Sequence, residues 1–361
     1  MRTWRQRSAS ALAALLMGLC PALACGEEEP DVTAASGGAK AAVLLEMETG
    51  RVLYACNADA PLPMASTTKV MTCLLALEKG DLDEMVTVGP SAYGVPGTSI
   101  YLELGEQMKL GDLLQGLMLA SGNDAAVAIA EHIGGSVEGF CRMMTQRAAE
   151  LGCTDTVFLT PHGLPKEGHH TTARDLALIA REAMKHPTFR AIVSTQRASI
   201  PWASRSYHRI LNNKNRLLSE YEGATGIKTG FTKAAGRCLV FGARRNGLEV
   251  VGVVLSCPDW FEEAKRIMDN GFARYEMFTA LSAGETVRLL PASDAHEDTV
   301  RIVAEQALSA PVPKGRVPVL EIDLPQALEG AQTQGEAIGL ASITLEGELL
   351  ASCRLVVGQA V

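Results

Sequence analysis

The chain has 361 residues, 47% of them hydrophobic and 20% charged, with a formal net charge of -8. That length allows a large core plus an accessory module, so two folded units are expected. The acidic balance leaves no basic stripe, which argues against nucleic acid or an anionic membrane surface as partner.

The N-terminal stretch "MRTWRQRSASALAALLMGLCPALACGEEEP" joins Arg2, Arg5 and Arg7 to an apolar run and then to Ala22-Leu23-Ala24, a small-x-small cleavage pattern. Residues 1–24 are therefore predicted to be an export leader and 25–38, acidic and rich in Gly, Ser and Ala, a linker. Cleavage after Ala24 would leave Cys25 first. Ala22 stands where a lipoprotein leader usually carries leucine, so lipid anchoring is the lesser alternative. The seven cysteines beyond Cys25 form no C-x-x-C pair and no Cys/His cluster with metal spacing. They read as free thiols in apolar runs, small core residues rather than a disulfide framework.

"AAVLLEMETGRVLYACN" predicts two strands joined at Glu48-Thr49-Gly50. In "PMASTTKVMTCLLALEKG" the apolar residues Val70, Cys73, Leu74 and Leu77 keep helical spacing, and Gly80 is a stop. Ser66 begins this helix and Lys69 lies one turn on, at the edge of the apolar stripe. Low dielectric favours the neutral amine, and a neutral amine is a base. Taken alone, Ser-x-x-Lys also fits an N-cap serine followed by a snorkelling lysine.

A helical middle follows. Leu110, Leu113, Leu114 and Leu117 share one face, the pattern breaks at Ser121-Gly122-Asn123, and it resumes through Ile129 and Ile133. "TTARDLALIAREAMK" is a further helix, opened by Thr171 or Thr172. From Gly226 the period becomes that of strands: "GIKTGFT", "RCLVFGARR" and "LEVVGVVLSC", with Asn246-Gly247 as a hairpin turn. Helices inserted between sheet strands predict an α/β (α+β) domain, an antiparallel sheet with one helical lobe, over residues 39–276. "ETVRLL", "TVRIVAEQ", "VPVLEIDLP", "GLASITLEG" and "ELLASCRLVV" then predict a small all-β module over 277–361.

Three short polar motifs punctuate this order: Ser66-Thr67-Thr68-Lys69 at a helix start, Ser121-Gly122-Asn123 at a helix break, and Lys228-Thr229-Gly230 on a strand. Each alone reads as a cap, a turn or an edge strand. Together, on an exported chain, they resemble the three signatures of serine penicillin-recognising enzymes. "PHGLPKEGHHTTARDLALIA", "NKNRLLSEYEGATGIKTGFTKAAGRCLVFGARR" and the β-rich tail narrow the resemblance to the D-alanyl-D-alanine carboxypeptidases, the low-molecular-mass penicillin-binding proteins, from about Ala39 to the C-terminus.

The resemblance implies a β-lactamase-like transpeptidase fold, with a five-stranded antiparallel sheet between helices and a β-sandwich-like accessory domain. It implies removal of the terminal D-alanine from a peptidoglycan stem peptide ending in D-Ala-D-Ala, through an acyl-enzyme that β-lactams also form. Ser66 matches the nucleophile, Lys69 its general base, and Ser121 the proton relay to the leaving nitrogen. Asn123 matches the residue binding Lys69 and the substrate amide, and Lys228 and Thr229 those binding the terminal carboxylate. The N–H groups of Ser66 and Phe231 would form the oxyanion hole, with Gly230 leaving room for the substrate. No metal or cofactor is called for.

His162, His169 and His170 invite a Ser-His-Asp reading, which is rejected because the nucleophile already has a base one turn away. Asp175 reads as a helix-start structural carboxylate. Many relatives place an arginine after the strand following the Lys-Thr-Gly hairpin; "CPDWFEEAKR" puts Trp260 about there, leaving carboxylate binding to Lys228 and Thr229. The chain also stops at Val361 after a strand, without the amphipathic C-terminal helix of many relatives, so membrane attachment stays open. The alternative enzyme is a β-lactamase, for which Glu150 and Glu167 lack the class A sequence context. A silent wall-binding or penicillin-sensing domain would need a broken motif, and all three are intact.

Overall fold

The computed structural model describes residues 4–5, 38–291, 299–328 and 332–358. The predicted leader and linker lie outside these residues apart from Trp4, Arg5 and Gly38. The chain divides into two compact units, one of residues 29–245 and 249–273, the other chiefly of residues 274–361.

In the larger unit β1 (Ala41–Glu46) and β2 (Val52–Cys56) form the N-terminal hairpin. Its turn is closed by Glu46, whose carboxylate accepts from the backbone N–H groups of Glu48 and Thr49. The chain returns to the sheet as β3 (Ala224–Thr232), β4 (Gly236–Arg245) and β5 (Leu248–Leu255). The sheet is five-stranded and antiparallel, in the order β2-β1-β5-β4-β3, so β3 is an edge. Asn246 and Gly247 both have positive φ, 49° and 84°, the geometry of a tight two-residue hairpin turn.

Between β2 and β3 lies the helical lobe. A 3₁₀ turn over Ala65–Thr68 leads into α1 (Lys69–Lys79), which Gly80 ends. The sequence predicts a continuous helix from Ser66; instead the first turn is tightened. With three residues per turn, positions i and i+3 eclipse, which sets Lys69 directly over Ser66. Helix α2 (Leu110–Gln115) widens into a π turn, Gly116–Ala120, and stops where Ser121 takes a left-handed φ of 66°. Helix α3 (Asn123–Gly134) starts two residues later. The predicted stripe is buried: Leu110, Leu113, Leu114, Leu117 and Ile129 all lie in one core with Val70, Cys73 and Leu74 of α1. Each such side chain contributes about 1.5–3 kcal/mol of burial. Helix α4 (Val137–Glu150) and α5 (Ala173–Lys185) follow, the latter capped by Thr172, which accepts from Asp175 N. Six of the seven described cysteines are buried and none is disulfide-bonded.

The smaller unit is all-β. Its six-stranded sheet runs Trp4–Arg5, Val319–Asp323, Ala337–Leu345, Glu348–Val357, Thr299–Ala304 and Thr286–Pro291. Ile302, Ile343 and Leu355 are fully buried in its core. A separate pair, Tyr275–Leu281 with Leu308–Pro313, was not legible from the sequence, because Pro311 and Pro313 break the strand pattern there.

Candidate active site

Ser66 sits at the mouth of the helical lobe on the 3₁₀ turn, half-buried, while Lys69 is 0% exposed. Lys69 Nζ lies 2.9 Å from Ser66 Oγ, 2.7 Å from Asn123 Oδ1 and 2.8 Å from the backbone oxygen of His162. Burial first, and then the nearby cations of Lys228 and Lys214, hold its pKa well below that of an ordinary lysine. A neutral amine has two N–H bonds and one lone pair. Asn123 Oδ1 and His162 O are pure acceptors and fix two of the amine's N–H bonds, which leaves its third position toward Ser66 Oγ. In the neutral amine, the form that burial favours, that position is the lone pair.

Each partner of Lys69 is itself fixed. Asn123 Nδ2 donates to Pro96 O at 2.7 Å, and a side chain at Gly97 would collide with that amide at 2.8 Å. The Asp124 carboxylate holds the same loop, accepting from Ser99 Oγ and from the N–H groups of Ile100 and Leu102. His162 belongs to a loop that passes over the Ala65–Thr68 turn so closely that a Cβ on Gly163 would lie 1.8 Å from Ala65 O. Thr72 Oγ1 donates to Pro161 O at 2.6 Å and clamps that loop to α1. Ala65 itself has φ 51°, an uncommon value for alanine, immediately before Ser66.

Strand β3 closes the other side. Gly230 packs on the Ala65–Thr68 turn: an added Cβ would lie 2.9 Å from both Ser66 N and Thr67 N. Only glycine lets the two backbones approach this closely. Lys228 is 1% exposed, and its Nζ donates to Thr229 O at 3.0 Å. Burial, helped by Lys214, lowers its pKa to about 7. Thr229 is buried, whereas Phe231 is 61% exposed and pairs across the hairpin with Arg237. The hydroxyl of Ser121 makes no hydrogen bond among the described residues; its backbone oxygen accepts from Thr98 Oγ1 at 2.6 Å.

The three histidines are structural in their contacts. His162 Nδ1 accepts from Leu164 N, His169 bridges Leu159 N and Thr68 Oγ1, and the ring of His170 lies on Gly168 O. None reaches Ser66. Asp175 accepts from Asp155 N and Thr156 Oγ1 beside its own helix start. Trp260 begins the helix Trp260–Arg274 and its ring lies 4.9 Å from that of Phe261. Sequence reasoning singled out neither of two groups that act on Lys69: the carbonyl of His162, invisible because any residue supplies one, and Lys214, whose charge lowers the pKa of Lys69 and Lys228.

The chain matches the family model described as D-alanyl-D-alanine carboxypeptidase over residues 27–259, and the model of the penicillin-binding protein 5 C-terminal domain over residues 275–361. The chain belongs to the D-alanyl-D-alanine carboxypeptidase family. It is 33% identical over 324 residues to the D-alanyl-D-alanine carboxypeptidase DacF of Bacillus subtilis, covering 87% of this chain and 83% of that one. It is also 33% identical over 349 residues to DacC of Escherichia coli, with 91% and 86% covered. Among solved structures, penicillin-binding protein 5 from Haemophilus influenzae superposes with a TM-score of 0.74 at 30% identity, covering 89% of this chain and 97% of that one. The Streptomyces K15 DD-transpeptidase gives a TM-score of 0.62 at 36% identity, over 65% and 98%. The carboxypeptidase is thus a serine-type hydrolase of the D-Ala-D-Ala bond, in a β-lactamase-like domain followed by an all-β domain. Nothing supports the β-lactamase or silent-domain alternatives.

Proposed function

We propose that Ser66 is the nucleophile that attacks the carbonyl between the two D-alanines of a peptidoglycan stem peptide, and that neutral Lys69 takes its proton. The observation that carries this is the 2.9 Å approach of the buried Lys69 Nζ to Ser66 Oγ, with Asn123 Oδ1 and His162 O fixing the rest of the amine. As the tetrahedral intermediate forms, its oxyanion rests between the backbone N–H groups of Ser66 and Phe231, with Gly230 giving the substrate access to the strand. Ser121 passes a proton to the departing D-alanine nitrogen. Lys228 and Thr229 hold its carboxylate, and Asn123 the amide on the acyl side. Water then releases the shortened peptide from Ser66. A β-lactam presents a strained amide and a carboxylate in the same relation, and forms the same ester. The arginines and apolar run before Ala24 support export to the cell envelope, where such peptides are found.

Ser66→Ala removes one oxygen from a half-buried position, and the fold is expected to survive. The variant should release no D-alanine from a pentapeptide and take no covalent label from penicillin, as read by mass spectrometry of the intact protein. Stoichiometric labelling of the variant would displace Ser66 from the mechanism.

A further inference from the structure

Asp124, in the first turn of α3, is 1% exposed, and its carboxylate is met by donors alone. Ser99 Oγ donates to it at 2.5 Å, Ile100 N and Leu102 N at 3.1 Å, and Ala125 N at 2.9 Å. Ser99 Oγ itself accepts from Tyr101 N at 2.8 Å, which leaves its own hydrogen for Asp124. Burying a carboxylate is costly, and anchoring the loop as a whole does not require this one. The far end is already locked by Arg209, 4% exposed, which donates to both oxygens of Glu106 at 2.7 Å and to Tyr101 O at 3.0 Å.

What Asp124 governs is the segment from Pro96 to Leu102, and two site residues hang on that segment. Asn123 N donates to Thr98 O at 2.7 Å and Asn123 Nδ2 to Pro96 O at 2.7 Å, while Thr98 Oγ1 donates to Ser121 O at 2.6 Å. The Ser121 hydroxyl has no partner among the described residues, so its direction is set by its backbone, at φ 66°. Between the two N–H groups that Asp124 holds, Tyr101 takes a φ of 60°, a strained value that its surroundings must impose. The carboxylate also acts on Lys69 through space. Facing that amine are Lys228 on β3, Lys214 just past the strand Arg209–Asn212, the neutral ring of His162 and Asp124; the two lysines oppose a proton there, and Asp124 favours one.

We propose that Asp124, which touches no reacting atom, is a positioning residue: by fixing the 96–102 segment it aligns the Asn123 amide with Lys69 and the Ser121 hydroxyl with the leaving nitrogen. The inference rests on the roles proposed above for Ser66, Lys69, Asn123 and Ser121, and the test separates the two. Asp124→Asn keeps the size of the side chain, loses its charge and turns an NH₂ group toward donors. Acylation by penicillin is followed by intact-protein mass spectrometry, as the rate constant of approach to the labelling plateau. That constant does not depend on the fraction of protein that is folded. It should fall by about 10–100-fold, the scale of a small misplacement of catalytic groups. The acid limb of its pH profile should move to lower pH, because the anion that favours protonated Lys69 is gone. Thr98→Val removes only the hydroxyl that reaches Ser121 O and should slow acylation about fivefold, the scale of one hydrogen bond; it decides the matter even where Asp124→Asn does not fold. Combined with Asp124→Asn it should add less than about twofold, since both act through one segment. A rate equal to that of the unaltered enzyme in either variant, an unmoved acid limb in Asp124→Asn, or a full multiplication of the two losses overturns the positioning role alone. Peptide mapping that finds the penicillin ester of the unaltered enzyme on a residue other than Ser66 overturns the catalytic assignment, and the positioning role with it.

Discussion

Lys69 and Lys228 are both buried, yet the proposed mechanism asks opposite things of them. Lys69, held by three oxygens, must be neutral to work there as a base. Lys228 has one carbonyl and is useful as a cation, with a pKa brought down to about 7 by burial. The signs follow directly. As pH rises, kcat/KM climbs while Lys69 loses its proton, and above about pH 7 it declines as Lys228 loses its own. A bell-shaped profile is expected, its limbs belonging to the coupled pair. Lys228→Arg keeps the cation at every working pH. Its profile should keep the acid limb and lose the alkaline limb up to at least about pH 9, measured with a substrate bearing a free carboxylate. An unmoved alkaline limb would assign that ionisation to another group.

The loop from Pro161 to His170 does for α1 what a side chain cannot: it delivers a backbone oxygen to Lys69. Gly163 lets it do so, with φ at 86° and no room for a Cβ. Gly163→Ala should cost several kcal/mol in stability or push His162 O away from Lys69, so acylation by penicillin should slow at least about tenfold in whatever fraction folds. His169 fastens the far end of the same loop. Its Nδ1 accepts from Leu159 N, so the neutral ring donates from Nε2 to Thr68 Oγ1. A second proton would point Nδ1–H at an N–H group. Burial lowers the folded-state pKa to about 4, from an ordinary 6.5. Because the folded pKa is depressed, the unfolded chain binds more protons below pH 6.5. The stability His169 contributes is whole above that pH and is lost as pH falls toward 4. Denaturant melts of the wild type should show this decline, and His169→Gln should make it shallower; His162, lowered to about 3, accounts for part of the remaining slope.

On the scale of the molecule, separate apolar cores are built among the described residues. One is the helical lobe with the five-stranded sheet; another is the small β unit around Ile302, Ile343 and Leu355. No residue assigned to catalysis lies in the second. Ile343→Ala should destabilise that unit by about 2–5 kcal/mol, the range for a buried aliphatic truncation. The rate of penicillin acylation at Ser66 should stay within about twofold of wild type at a temperature below the first melting transition, with calorimetry locating that transition. A proportionate loss of acylation would show that the site depends on the β unit.

What the sequence determined by itself was local and periodic: the stripe through Leu110 and Leu117, the Asn246-Gly247 turn, the three polar motifs and their order. These follow from spacing and from the backbone preferences of Gly, Asn and Ser, which act over a few residues. The serine and lysine could be paired from their spacing, although the tightening of that turn to 3₁₀ could not, because it is set by the 161–163 loop and Gly230 pressing on it from distant parts of the chain. The tertiary structure alone decided that Lys69 is buried against Ser66 with its pKa held well below that of an ordinary lysine. That state depends on burial and on two acceptors, Asn123 and His162, which lie 54 and 93 residues away. Electrostatics in a low-dielectric site act through space, and only the folded chain sets those distances.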